Sequence, residues 1–279
     1  MTGPLIGVTG STGQVGGRVA AALAEQGRSM RLLVRNPAKA PVYDGVEVRQ
    51  AEYADHGASL DALRGVEVLF MVSAAENERR LEEHATFVDA AAEAGVRHVV
   101  YTSFYGASPD CTFTLGRDHY ATEERIRASG MEWTFLRDNL YLDYVPLFAG
   151  DEGVLRGPAR DGRVSAVSQD DVAASAVGVL QNVDSHRGAV YGLTGPEAFT
   201  LAEAAETMSR VTGRECVFVN ETVDEAYASR APYGAPQWQL DAWVSTYVAI
   251  AVGEMDGVTD VVELLSGRPP ISLEELLRR

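Results

Sequence analysis

Three features of the sequence predict an α/β protein with a doubly wound parallel sheet. A short apolar run at residues 5–9 leads into glycines at positions 10, 13 and 16, and then into an Ala-rich segment. As far as residue 136, short apolar runs alternate with helical patterns, as expected of parallel strands covered on both faces. Gly27, Gly65, Gly95 and Gly130 close the helical segments in turn.

The first element, LIGVTGSTGQVGG, reads as strand, glycine turn and helix, an arrangement that receives a dinucleotide pyrophosphate. Gly10 allows the tight turn and Gly13 a close approach of backbone to phosphate. Gly16 lets the helix pack against the strand, and the N–H groups of the helix start face the negative charge. The candidate coenzyme contacts here are Gly10, Thr12, Gly13, Gln14, Val15 and Gly16. After a helix at 18–26 comes a second strand, 30–34, with Arg35 directly behind it. An acidic residue near that place holds the ribose hydroxyls of NAD, whereas a basic one accommodates the extra phosphate of NADP. NADP(H) is therefore favoured, and NAD(H) stays open.

The alternation continues with a strand at 46–50, a helix at 59–63 and a strand at 66–72. A long helix at 80–94, a strand at 98–102, a helix at 119–128 and a strand at 132–136 follow. Beyond residue 150 the pattern weakens: 163–167 is strand-like, 170–181 helical and 189–193 a strand that can rejoin the main sheet. Thr200 and Glu203 stand in capping-box spacing at the head of a helix over 200–211, before a strand at 215–219 and a short helix at 272–277. Residues 1–150 are expected to form a Rossmann-type coenzyme domain, and 151–279 a smaller, interleaved α/β lobe that binds substrate. Residues 163–193 are expected to return in part to the first domain.

The formal net charge of −16 disfavours binding to nucleic acid. There is no apolar run long enough to span a bilayer and no signal-peptide pattern at the start, so a cytoplasmic protein without membrane contact is expected, as monomer or homodimer. Cys111 and Cys216 fit no metal spacing, and no metal is expected.

Several blocks resemble the NmrA-like atypical short-chain dehydrogenase/reductases, and within them the bacterial NADPH:quinone oxidoreductases. They include TGSTGQVG (residues 9–16), VRNPAKA (34–40), ALRGVEVLFMVS (62–73), AAAEAGVRHVVYTS (90–103), HYATEERIRASG (119–130) and WTFLRDNLYLDY (133–144). The resemblance implies an NADP(H) fold with the adenosine phosphate near Arg35. It also implies coenzyme-lining residues Ser73, Ala74 and Ala75 after one strand, and Thr102 and Ser103 after the next. His119 and Asn139 would flank the cleft, with aromatic side chains over the nicotinamide. Phe104 and Tyr105 depart from the aliphatic residues expected of the quinone reductases, which leaves room for a larger aromatic ligand.

Ordinary short-chain dehydrogenases pair a Tyr with a Lys four residues later. Lys39 is the sole lysine here, and Arg35 stands four residues before it. Tyr120, the best-placed tyrosine, is followed at that distance by Glu124. A quinone avoids this lack, because hydride delivery yields an aromatic hydroquinone anion that needs no strong acid. The expected activity is thus NAD(P)H-dependent reduction of quinones or quinone-like aromatic compounds, with the tailoring of an aromatic natural product as one setting. His119 is the candidate proton donor and Tyr120 the candidate orienting group, with Phe104, Tyr105, Asn139, Tyr141 and Trp238 toward the substrate. A non-catalytic, dinucleotide-sensing regulator is the alternative.

Overall fold

The computed structural model describes residues 2–279, which divide into two compact units. Residues 2–103, 118–137 and 172–191 make the first, and 104–117, 138–171 and 192–279 the second.

The first unit is built from β1 (Thr2–Thr9), α1 (Gln14–Glu25), β2 (Arg28–Val34), β3 (Glu47–Gln50), α2 (His56–Leu63), β4 (Val68–Met71), α3 (Arg80–Glu93), β5 (His98–Phe104), α4 (Thr114–Ala128) and β6 (Glu132–Asp138). With β9, below, these strands form one seven-stranded sheet in the order β3-β2-β1-β4-β5-β6-β9. The pairs β1–β2, β2–β3, β1–β4 and β4–β5 are parallel. Successive strands run outward from β1 in one direction and from β4 in the other, so the order reverses between them. That reversal opens the crevice in which doubly wound sheets take ligands. The central strands are apolar on both faces because helices cover both. Val68, Leu69, Phe70 and Met71 of β4 are all buried.

Several ends differ from the pattern-based limits for local reasons. α2 begins at His56 because Asp55 Oδ1 accepts the Ala58 N–H at 3.0 Å. α1 begins at Gln14, so the glycine turn flows straight into helix.

The rest of the chain supplies α5 (Val145–Phe148), β7 (Val154–Gly157), β8 (Arg163–Val164), α6 (Gln169–Gln181), β9 (Ala189–Leu193), β10 (Phe199–Thr200), α7 (Leu201–Thr212), β11 (Val217–Asn220), α8 (Val223–Arg230), α9 (Gln237–Ala251), α10 (Val261–Ser266) and α11 (Leu273–Leu277). The second unit carries two small sheets, β10 antiparallel to β8 and β11 parallel to β7. Its core gathers Leu142, Val145, Leu155, Phe199, Leu201, Met208 and Ile250. α7 does start with a capping box, since Thr200 and Glu203 exchange hydrogen bonds at 3.1 and 2.8 Å. The strand expected at 163–167 is only two residues long. The Ser165 N–H leaves the ladder to donate to the Met255 carbonyl.

Asp170 and Asp171 stand in the first turn of α6, but other groups cap it. Ser168 Oγ accepts the Asp171 N–H and Asp143 accepts the Gln169 N–H. The buried Asp171 carboxylate instead accepts the Ile271 N–H at 2.7 Å and pairs with Arg268 at 2.7 Å. Asp171→Ala is expected to destabilise the protein by about 3 kcal/mol, since it strands a buried N–H and a cation together. Urea unfolding of the variant beside wild type measures this.

Candidate active site

At the C-terminal end of β1 the chain turns through Gly10, whose φ is +64°, and the Gly13 N–H closes the turn on the Gly10 carbonyl at 2.8 Å. Gly16 lies so near this turn that an added Cβ would stand 2.6 Å from the Thr9 carbonyl oxygen and nearer still to that of Gly10. Only glycine allows α1 to start there. Gly13, the N-cap, makes no side-chain cap, and the first turn of α1 holds no acidic residue. Its N–H groups are thus available to an anion. Thr12 and Gln14 are exposed, while Val15 is buried and anchors the helix. This cradle fits a dinucleotide pyrophosphate.

Arg35 follows β2 and is exposed, and Lys39 sits just beyond it in a turn that Asn36 caps through the Ala38 N–H. Two cations and no carboxylate occupy residues 35–40, which suits a phosphate on the adenosine ribose. Sequence reasoning singled out Arg35 but not Lys39.

The segment behind β4 is held on both sides. The Ser73 N–H donates to Thr102 Oγ1 on β5 at 2.9 Å, and the Ala74 N–H donates to His84 Nε2 on α3 at 2.9 Å. The Val72 N–H donates to Thr9 Oγ1, and the Tyr53 hydroxyl lies 2.6 Å from the Val72 carbonyl oxygen. Thr102 therefore uses its hydroxyl inside the protein. Ser103 does the same, donating to Glu123 Oε1 at 2.6 Å. Glu123, fully buried, also receives both arms of Arg137, at 2.8 and 2.7 Å. The hydroxyls of Thr102 and Ser103 are both taken up within the protein, that of Thr102 by the Ser73 N–H of the loop after β4.

His119 is buried against Arg80 and Tyr101. Its Nε2 lies 3.0 Å from Arg80 Nη2 and its Nδ1 lies 3.1 Å from the Tyr101 hydroxyl. Because arginine can only donate, Nε2 accepts, and the ring proton belongs on Nδ1, facing Tyr101. Burial and then the Arg80 charge push His119 far below the usual histidine range. Asp118 stands 3.9 Å from the same guanidinium. Tyr120 is half-buried on the next position of α4.

His84 is equally constrained. Its Nε2 accepts from Ala74, so Nδ1–H donates to Thr122 Oγ1 at 2.8 Å, and that hydroxyl donates onward to the Asp118 carbonyl. Burial, with Arg80 adding to it, lowers His84 to about 3. Sequence reasoning missed Arg80, His84 and Tyr53. The available signal lay in α3, where the buried stripe of Arg80, His84, Phe87, Val88 and Ala91 carries two polar residues among apolar ones.

The residues assigned to substrate lie in the second unit. Asn139 is buried, and its amide group donates to Ser165 Oγ at 2.9 Å and the Met255 carbonyl at 3.0 Å while its oxygen accepts the Leu140 N–H. It braces that unit, with no donor left over. The Tyr105 hydroxyl donates to the Asp256 carbonyl at 3.3 Å. Phe104 packs on Phe113 at 4.6 Å between centroids. The Tyr141 hydroxyl donates to Asp138 at 2.8 Å, and burial followed by the Asp138 charge holds that phenol well above its usual range. Tyr141, Tyr144, Phe148 and Tyr247 run as neighbouring rings at 5.7, 6.4 and 6.5 Å, with Tyr144 and Phe148 exposed. Trp238 is half-buried on α9. Among the described residues, no group of three or more His, Cys, Asp or Glu side chains could hold a metal ion, and no helix is long and apolar enough to cross a membrane.

A doubly wound sheet with a glycine cradle at its reversal point defines the dinucleotide-binding class of α/β proteins, and residues 3–234 match the NmrA-like family model. The chain belongs to that family. It is 32% identical to quinone oxidoreductase 2 of Escherichia coli over 97% of this chain and 96% of that one. The crystal structure of the Escherichia coli protein with NADPH superposes with a TM-score of 0.88 over 98% of both chains. The chain is also 37% identical to the (4-alkanoyl-5-oxo-2,5-dihydrofuran-3-yl)methyl phosphate reductase of Streptomyces griseus, over 95% of this chain and 94% of that one. The triphenylmethane reductase of a Citrobacter species, solved with NADP(H), is 31% identical, with a TM-score of 0.85 over 98% of both chains.

Proposed function

We propose that this protein is an NADPH-dependent reductase that delivers hydride directly to quinones or quinone-like aromatic compounds. The observation that carries the reading is the state of His119, a neutral ring with both nitrogens facing protein groups, in a chain without a Tyr–Lys pair. A site whose one histidine is engaged on both nitrogens suits acceptors that take hydride first and hold the resulting anion by delocalisation. The relatives' acceptors share that chemistry: a quinone, a ring double bond conjugated to carbonyl groups, and a triphenylmethane dye.

The nicotinamide supplies the hydride when bound. The glycine cradle holds the pyrophosphate, Arg35 and Lys39 take the ribose phosphate, and the loop after β4 borders the crevice. Tyr120, half-buried on α4, orients the acceptor. His119 keeps α4 in register through Arg80 and Tyr101, and the proton that completes the hydroquinone comes from solvent. The protein acts in the cytoplasm.

NADPH and NADH oxidation against a panel of small and polycyclic quinones tests this reading. Turnover with NADPH is expected. Tight coenzyme binding with no acceptor reduced would replace it with a dinucleotide sensor. Arg35→Glu is expected to weaken NADPH binding roughly 10- to 100-fold, the loss of a charged phosphate contact, and to leave NADH nearly unchanged. Equal effects in a fluorescence titration would remove Arg35 from the phosphate site.

A further inference from the structure

We propose that His84 and Thr102 act as a two-point clamp that turns successive N–H groups of the loop after β4 into the protein, leaving that loop to offer a carbonyl acceptor to the coenzyme. The inference rests on the reading of the crevice as a nicotinamide-coenzyme site. The Ser73 N–H is taken by Thr102 Oγ1 and the Ala74 N–H by His84 Nε2, both at 2.9 Å. The peptide between Ser73 and Ala74 is planar and trans, so the Ser73 carbonyl points opposite to the Ala74 N–H, away from His84.

At Ser73 and Ala74 the loop thus offers no N–H donor to a phosphate. It takes hydrogen-bond donors: the ribose hydroxyls or the carboxamide of a nicotinamide nucleotide. The crevice thereby divides its labour. The N–H groups at the head of α1 receive the pyrophosphate, and the carbonyl behind β4 receives the uncharged, donor-bearing half of the molecule.

His84 is braced for this role, because its other nitrogen donates to Thr122 Oγ1 and fixes the tautomer that leaves Nε2 an acceptor. Thr102 is 1% exposed and His84 is likewise 1% exposed. Neither touches solvent enough to bind a ligand itself, and each acts as a positioning residue.

Amide hydrogen exchange at Ser73 and Ala74 in the coenzyme-free protein, paired with NADPH titration, tests the clamp. In His84→Ala the Ala74 amide is expected to exchange at least about ten-fold faster, and NADPH to bind about ten-fold more weakly. In His84→Gln, whose side-chain oxygen can accept the same N–H, both effects are expected to recover in part. Thr102→Val does the same for the Ser73 amide and serves where His84→Ala fails to fold. Unchanged exchange in the variants would overturn the clamp. Faster exchange with unchanged NADPH affinity would overturn the loop's part in binding while leaving the coenzyme reading intact. Wild type that binds no nicotinamide coenzyme would overturn both readings together.

Discussion

Gly16→Ala is expected to weaken coenzyme binding roughly 100-fold or more and to cost about 3 kcal/mol of stability. The added methyl would lie within contact distance of two carbonyl oxygens, those of Thr9 and Gly10, and both belong to backbone that cannot swing aside as a side chain could. Relief requires α1 to move away from the end of β1. That shift takes the first-turn N–H groups out of the geometry in which they jointly meet an anion. Losing two such charged contacts weakens binding by roughly 100-fold or more. NADPH titration and thermal unfolding of the variant check both effects. Retained affinity would mean that the dinucleotide does not use this turn. Gly17→Ala is the control, since its added methyl would meet Ser11 O at 3.2 Å, a much smaller intrusion.

Stability is expected to fall steeply as pH drops from 7 to 5, through buried histidines. His84 is lowered to about 3 and His98 to about 4, in each case first by burial and then by a neighbouring arginine. The hydrogen bonds explain why neither ring accepts a second proton. His84 has both nitrogens engaged. His98 donates from Nε2 to Thr134 Oγ1, which itself donates to the His186 carbonyl, and its Nδ1 is buried with no acceptor. The unfolded chain protonates each ring near 6.5, the folded protein only near 3 or 4. Below about 6.5 the unfolded state therefore binds more protons, and stability declines with falling pH by about 1.4 kcal/mol per unit for each group. By pH 5 each histidine removes about 2 kcal/mol. Urea titrations at pH 7.5 and 5.0 measure the difference, and His98→Gln is expected to recover about a third of it, because the buried His119 contributes beside His84. A flat profile would show that these rings titrate normally.

Most of the first unit was legible in the sequence because its signals are local. Most strands there are short apolar runs, β3 (EVRQ) excepted, and α1 to α4 each stop at a glycine, as at Gly95 and Gly130. The glycine cradle was legible for the same reason, since spacing alone fixes its geometry. The second unit hid more. α8 and α9 gave no clear reading: α9 is apolar over much of its circumference, so no single face stands out against the rest. β7 and β11 are four residues each and pair across more than sixty positions, which no local window reports. The side chains around the site divided in the same way. The proposed pyrophosphate turn is marked by its glycines, whereas Arg80, His84 and Glu123 act by reaching between elements distant in sequence. Asn139 shows the limit of residue type as a guide, because a polar side chain at a strand end turned out to brace the second unit's interior.

The chain passes between its two units five times, and this sets the order in which a growing polypeptide can finish its fold. The first unit needs residues 172–191, so its sheet stays one strand short until they have left the ribosome. Until β9 arrives, β6 stands at the margin with one row of amide and carbonyl groups open to any other strand. A nascent chain stalled before residue 189 therefore presents a sticky border of its own making, and completion of the late strand is what seals the sheet during synthesis.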